Sequence, residues 1–341
     1  MNATASVPEP SDRRWWVLTA VGVGTFMSAL NGSVVNAIVP VLMRSLGIED
    51  LATAEWITMI FLVLVSGLLL SFGRLGDLVG HRRVYVAGMA LFVVGTIFCG
   101  LSPTAGWLIA ARGFQAIGAA VVMANSPALL TAAFPARQRG RALGMQATFT
   151  YLGLMIGPAI GGWLTEHWGW PSIFYVAVPF GLLSLALTLY AVAPDAPRPA
   201  REKFDLVGAL LMLVGLTSLL LALSHGQAWG WSSARTLGLL GAAIAVLAGF
   251  WAFERRVASP MLDLSLFEVR LIRAASASAV LSYLCVYAVM FLMPFYLLRF
   301  RGMTPSDAGL LLSAQALTMA VTAPLSGALS DRIGSRLPAS I

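Results

Sequence analysis

The residues best suited to charge pairing are an aspartate and an arginine that occur together in two copies of one motif. The first copy, residues 73–83, reads GRLGDLVGHRR, and the second, residues 327–336, reads GALSDRIGSR. In both, a glycine precedes the aspartate by four positions, another follows it by three, and an arginine comes two later. Such an aspartate can pair with loop arginines or cap a neighbouring helix N-terminus. The candidate gate residues are Gly73, Asp77, Gly80, Arg82, Asp331 and Arg336.

The glycines of this motif permit a tight turn and a close approach between helices. An ordinary basic loop is the alternative interpretation of one copy alone. The matched spacing of two distant copies argues against it and indicates a repeated hinge in a duplicated bundle.

Arg112 is a second candidate, because it lies inside an apolar segment. An arginine at the centre of a membrane helix is unfavourable by about 2.5–3.5 kcal/mol on insertion scales, so it usually faces a cavity or a polar partner. The alternative is that the side chain reaches the outer membrane surface, because Trp107 starts the same segment only five residues earlier.

A glycine-rich segment around Pro158 forms the third candidate. Gly153, Gly157 and Gly161 recur every four residues and would form one smooth helix face for close packing. Pro158 would bend that helix, and Gly162 completes the pattern. Simple helix packing is the alternative, and it does not conflict with transport.

Polar and aromatic side chains in other apolar segments could line a substrate cavity, where aromatic linings suit apolar ligands. Ordinary helix–helix contact is the alternative for each. The cavity candidates are Asn31, Asn36, Gln115, Tyr283, Tyr287 and Gln315.

Motifs for other chemistry are missing from the sequence. No metal-ligand cluster, phosphate loop or nucleophile motif occurs, so we expect no metal, no cofactor and no enzymatic activity. The three histidines, His81, His167 and His225, are expected to be solvated.

The composition indicates the surroundings of these residues. The chain is 58% hydrophobic and 11% charged, with a mean hydropathy of +0.83, whereas a soluble domain carries roughly 25% charged residues. Apolar stretches of about 18–25 residues recur throughout, which is the length of a membrane-spanning helix. The net charge of +7 is spread over loops and does not indicate nucleic-acid binding.

An all-α membrane protein with about ten spans is therefore predicted. Most of the 22 Lys and Arg residues fall on one side if the N-terminus is cytoplasmic, which fixes that orientation by the positive-inside rule. The predicted spans are 15–40, 54–72, 84–102, 107–130, 142–164, 172–193, 206–224, 234–253, 272–298 and 308–330.

Together the two hinge motifs, Arg112 and the Gly/Pro-rich fifth span resemble the major facilitator superfamily, and more narrowly its fourteen-helix drug:proton antiporter branch. The resemblance implies that the hinge locks the cytoplasmic side, that Arg112 serves proton coupling, and that the fifth-span motif marks an antiporter. The branch has a carboxylate where Asn31 stands here. Since Asn cannot titrate, the residue that carries the proton is left unassigned.

The resemblance also implies a domain organisation. Residues 1–193 would form a six-helix N-terminal bundle, 194–205 a cytoplasmic linker and 206–253 two inserted helices. A cytoplasmic loop would follow at 254–271, and 272–341 would start the C-terminal bundle. The family continues for four more helices after the second hinge, so the chain is expected to be truncated at its C-terminus.

The expected function is proton-coupled efflux of drug-like or secreted apolar small molecules across a bacterial plasma membrane by alternating access. The protein would act as a monomer, with the lipid bilayer, its substrate and protons as partners, no nucleic acid, and the proton motive force in place of a cofactor. Two alternatives stay open: a metabolite uptake symporter on the same fold, and a truncated membrane protein that does not transport.

Overall fold

Ten α-helices make up most of the part of the chain that the computed structural model describes, namely residues 10–195, 204–257, 259–303 and 305–334. The predicted all-α class is confirmed, and each predicted span corresponds to one helix. Eight of the described helices, α1 to α8, are long and apolar enough to cross a membrane. The helices are α1 (Pro10–Leu46), α2 (Leu51–Val79), α3 (His81–Gly100), α4 (Ala105–Ala133), α5 (Arg139–Trp168), α6 (Ser172–Ala191), α7 (Leu206–Trp229), α8 (Ala234–Glu254), α9 (Arg270–Phe295) and α10 (Pro305–Ile333).

The helices are longer than predicted at the two hinge motifs. The sequence predicts that α2 ends near residue 72 and α10 near 330, but they continue to Val79 and Ile333. The helices α2 and α10 end only where Gly80 and Gly334 follow, and the φ angles of these two residues, 115° and 85°, favour glycine. The predicted tight turn therefore needs Gly80 alone, and Gly73 lies inside α2.

The first six helices pack into one bundle. Its buried apolar core includes Val21 of α1, Tyr85 and Met89 of α3, and Val122 of α4. Small residues allow the closest crossings, as expected for packing within a membrane. A Cβ added to Gly118 would lie 2.7 Å from the Gly88 carbonyl oxygen, so α3 and α4 meet at their backbones.

The helices α7 and α8 pack on each other and form a pair beside α2. A Cβ added to Gly67 of α2 would lie 2.6 Å from Leu213 Cδ1 of α7, and one added to Gly215 would lie 2.7 Å from Leu247 Cδ2 of α8. This pair occupies the segment predicted to hold two inserted helices.

The last two helices differ in how they are packed. The helix α10 lies along α5 of the six-helix bundle. By contrast, α9 leaves most of its side chains exposed, with Leu271 at 74%. The contact between α5 and α10 therefore joins the second hinge motif to the first bundle.

Candidate functional site

The N-terminal end of α5 and the C-terminal end of α10 touch backbone to backbone. A Cβ added to Gly140 of α5 would lie 2.7 Å from the Gly327 carbonyl oxygen, and one added to Gly144 would clash with the Ala323 backbone. One turn further along α5, Thr148 Oγ1 donates a 2.7 Å hydrogen bond to the Ala320 carbonyl oxygen. We call this set of residues, 140, 144 and 148 with 320, 323 and 327, the glycine seam.

Asp331 ends the glycine seam with a charged contact. Its Oδ1 accepts the backbone N–H of Gly140 and its Oδ2 accepts that of Arg141, each at 2.8 Å. Both N–H groups belong to the first turn of α5, where the helix has no internal acceptor for them and its dipole favours a negative charge. The second hinge motif thus uses its aspartate as a helix cap, which is one of the two interactions that the sequence left open.

The first hinge motif makes different contacts. Asp77 Oδ1 lies 3.3 Å from His81 Nε2, and His81 Nδ1 lies 2.8 Å from Asn125 Oδ1 of α4. Arg82 Nη2 donates a 2.9 Å hydrogen bond to the Leu189 carbonyl oxygen at the end of α6. The expectation that His81 is solvated is wrong, because its side chain is only 20% exposed and is held by these contacts.

Sequence reasoning missed the residue that caps α3. Asp195 accepts the backbone N–H groups of Arg82 at 3.1 Å and of Arg83 at 2.9 Å. Asp195 stands among prolines in the predicted linker. It reaches α3 because α6 ends close to the first hinge motif. Its counterpart at α5 is Asp331, so the first turns of α3 and α5 are each capped by an aspartate from elsewhere in the chain. Arg336 lies outside the described residues.

Arg112 is enclosed inside the six-helix bundle and is 1% exposed. Its Nη1 donates to Gln115 Oε1 at 2.6 Å, and its Nε donates to the Ile57 carbonyl oxygen at 3.3 Å. The guanidinium carbon also lies 4.3 Å from the centre of the Phe61 ring. The interpretation that Arg112 reaches the outer membrane surface is therefore wrong, since its side chain turns toward α2 and the bundle interior.

Gln115 extends this contact into a network of neutral groups. Its Nε2 donates to Asn31 Oδ1 at 3.1 Å and to Thr96 Oγ1 at 2.8 Å, and Cys99 Sγ lies 3.9 Å from its Oε1. Among the described residues, the hydrogen-bond partners of Arg112 are neutral amide oxygens. A buried cation with neutral partners is unfavourable. An acidic side chain near Asn31 would therefore be stabilised by the charge of Arg112.

Of the cavity candidates whose side chains the structure describes, Asn31 and Gln115 come together and Asn36 and Tyr283 do not. Asn31 and Gln115 are buried in the network, whereas Asn36 lies on α1 with an exposed side chain. Tyr283 of α9 is 60% exposed. The side chains of Tyr287 and Gln315 lie outside the described residues.

The glycine face of α5 packs on α1, as its spacing predicts. A Cβ added to Gly153 would lie 2.5 Å from the Phe26 carbonyl oxygen, and Cβ atoms at Gly157 and Gly161 would clash with Ser33 and Val34. Pro158 and Gly162, which belong to the same sequence motif, lie on an exposed face. One face of α5 thus packs closely on α1, while the hinge end of α5 packs on α10.

Comparisons with known proteins agree with this architecture. The family profile described as Major Facilitator Superfamily matches residues 21–341. The solved structure of the proton:xylose symporter XylE aligns with a TM-score of 0.62 at 13% identity, covering 95% of this chain and 70% of that one. At this identity the likeness concerns the fold alone.

Bacterial relatives share much more of the sequence. Multidrug resistance protein Stp of Mycobacterium tuberculosis is 39% identical, and the tetracenomycin C resistance and export protein of Streptomyces glaucescens is 33% identical; each match covers 94% of this chain. Riboflavin transporter RibZ of Clostridioides difficile is 33% identical over 95% of the chain and 70% of its own length. The chain spans 60% of the length of the first two relatives.

Proposed function

Because the chain belongs to the major facilitator superfamily, a family of membrane transporters and not of enzymes, we propose that it exports drug-like or secreted apolar small molecules by proton-coupled antiport. The observation that carries this proposal is 39% identity to a multidrug resistance protein over 94% of the chain. The match to a named resistance and export protein supports the same direction of transport.

The glycine seam suits the gate that alternating access requires. In such transporters, two helical bundles rock about a central site, and one end opens as the other closes. Here α5 belongs to the first bundle, and α10 carries the second hinge motif. Their backbone contact and the Asp331 cap hold this end closed, and rocking the bundles would have to break both.

The polar network around Arg112 would serve the coupling step, and protons and the substrate would be the only ligands needed, with no bound cofactor. In this proposal the protein is a monomer in the bacterial inner membrane with a cytoplasmic N-terminus. Exposed tryptophans at the end opposite the hinge, including Trp168 at the end of α5 and Trp231 after α7, suit an outer interface. The α7–α8 pair beside α2 supports membership of the fourteen-helix branch.

Metabolite transport is the second candidate function. The riboflavin transporter relative matches 95% of the chain at 33% identity, and Asn31 removes the carboxylate that a cationic drug would favour. An uptake symporter on the same fold is therefore the alternative to an exporter.

The test is transport by the full chain in energised membrane vesicles, with a neutral lipophilic dye and with riboflavin as separate probes. Export predicts dye accumulation in inside-out vesicles that stops when a protonophore collapses the gradient. Accumulation of riboflavin in right-side-out vesicles would favour uptake instead. A dye flux that is unchanged by the protonophore would contradict proton coupling.

A gate control can be built into the same experiment. The variant Thr148→Cys with Ala320→Cys, made in a Cys285→Ser background, should form a disulfide across the glycine seam. Oxidation should stop transport and a reductant should restore it, because the two helices could not separate while joined. Transport that continues in the cross-linked protein would contradict a gate at this position.

A further inference from the structure

Two carboxylates meet where the α7–α8 pair begins and ends. Asp205 precedes α7, and its Oδ1 accepts the Gly208 N–H at 2.9 Å as a helix cap. Glu254 is the last residue of α8. Its Oε2 accepts the Leu262 N–H at 3.2 Å, and the Met261 N–H lies near the same carboxylate. Each side chain thus uses one oxygen to hold local structure.

The second oxygen of each carboxylate is buried without a hydrogen-bond partner. Asp205 is 9% exposed and Glu254 is 3% exposed. A Cβ added to Gly208 would fall within 2.7 Å of both Asp205 Oδ2 and Glu254 Oε1. The two unpartnered oxygens therefore face the same spot beside α7.

The charges of the described residues around this spot do not balance two carboxylates. Arg74 of the first hinge motif lies near enough to attract Glu254, while Asp205 repels it. On α8, the neighbouring Arg255 lies over the Trp251 ring, 5.5 Å from its centre. In the described loop after α8, Asp263 and Glu268 are exposed. Among the described residues, Arg74 of α2 is the cation that attracts this pair.

Ionising both of two buried carboxylates at one site is unfavourable in free energy, because the charge on each disfavours the charge on the other. A single proton would remove one of the two charges, and it would supply a donor to a spot where both unpartnered oxygens can only accept. A metal cation such as Ca²⁺ takes 6–8 oxygen ligands, and the described residues supply far fewer here.

We propose that Asp205 and Glu254 form a proton-binding site, which holds one proton between Oδ2 and Oε1 at about pH 7. The site joins the α7–α8 pair to the first hinge motif through Arg74. Loss of the proton would leave a second negative charge facing that arginine and would pull the pair toward the hinge end of α2. A role in transport rests on the proposed function, whereas proton binding itself does not.

Infrared spectroscopy of the purified full chain tests this directly, because a protonated carboxyl group has its own C=O stretching band. The isosteric variants Asp205→Asn and Glu254→Gln keep the acceptors for the Gly208 and Leu262 N–H groups. At about pH 7 we expect the wild type to show a carboxyl band that each variant removes and that disappears on titration toward alkaline pH. Glu268→Gln, an exposed acid in the same loop, is the matched control and should leave the band unchanged.

Several results would overturn the proposal. They are a wild type without the band at about pH 7, variants that keep it, or a band removed equally by Glu268→Gln. Loss of the band when sodium replaces a bulky organic cation would show that a metal ion occupies the site instead. Melting curves of the variants check that they fold. If the vesicles export the dye but the infrared band is absent, only the proton-binding site is refuted. If the band is present but the vesicles do not export the dye, only the proposed function is refuted.

Discussion

Asp331 of α10 caps the first turn of α5, and its Oδ1 lies 2.8 Å from the backbone nitrogen of Gly140. The same carboxylate accepts the next N–H through its other oxygen. An aspartate 191 positions away in sequence therefore does for α5 what a local N-cap residue does in most helices. The helix cap and the contact between α5 and α10 are consequently one interaction.

Replacing Asp331 with alanine should weaken the contact between α5 and α10. The loss of a helix cap destabilises by about 0.5–2 kcal/mol, and here it also removes a contact between α5 and α10. We expect a lower disulfide yield between Thr148→Cys and Ala320→Cys, measured by gel shift after brief oxidation. Asp50→Ala is the control, since Asp50 caps α2 locally and its loss should leave the yield unchanged. Equal yields in all three proteins would contradict the proposed role of Asp331.

The first glycines of the two hinge motifs should respond differently to the same substitution. A Cβ on Gly327 would overlap the Gly140 carbonyl, whereas one on Gly73 would meet nothing within 4 Å. Gly327→Ala should therefore lower the free energy of unfolding in detergent by about 1–3 kcal/mol, as overpacking does. Gly73→Ala should be neutral or stabilising by up to about 1 kcal/mol through helix propensity. If both alanines act alike, the glycine seam does not depend on close backbone approach.

We expect that lysine cannot substitute for Arg112 without loss of stability, although lysine carries the same positive charge. The guanidinium donates in two directions, to Gln115 and to the Ile57 carbonyl, while it lies over the Phe61 ring. An ammonium group cannot reproduce that planar fork. We expect Arg112→Lys to melt at lower temperature, with a loss of about 1–3 kcal/mol for the unsatisfied buried groups. Arg235→Lys changes an exposed arginine and should melt like the wild type. A stable Arg112→Lys protein would show that charge alone suffices.

An acid at position 31 should be stabilised by the positive charge of Arg112. Asn31 Oδ1 already accepts from Gln115 Nε2, which adjoins Arg112. In Asn31→Asp the arginine would keep the new carboxylate ionised, and the pair would cancel the positive charge that repels a cation from this part of the bundle. We therefore expect vesicles to gain transport of a cationic dye relative to a neutral one. Asn31→Leu, which has similar size but no charge, is the control and should not gain it. No change in the cation-to-neutral ratio would contradict this use of the site.

The elements of this fold could be predicted from sequence because each is long and apolar. Ten hydrophobic stretches correspond to ten helices, since a bilayer-length apolar run allows few other structures. The glycine spacing on α5 also indicated a packing face correctly, because residues four apart lie on one side of a helix. The predicted ends of α2 and α10 are wrong, because the polar residues there continue the helix although they are typical of a loop.

The site could be predicted only where its contacts are local. Arg112 and Gln115 are one turn apart on the same helix, so their contact follows from spacing. Asp195 and Asp331 cap helices that lie far away in sequence, and no short-range pattern reports such a partner. The same applies to Asp205 and Glu254, which became a pair only when α7 and α8 folded back on each other.

The backbone contact between Gly140 and Gly327 has an evolutionary consequence. Where two side chains touch, a larger residue at one position can be compensated by a smaller one at the other, and the two positions covary. Glycine has no smaller substitute, so neither position can compensate for growth at the other. We therefore expect these two positions to be invariant rather than correlated across homologous sequences, and contact prediction from correlated substitutions would overlook one of the closest approaches in the molecule.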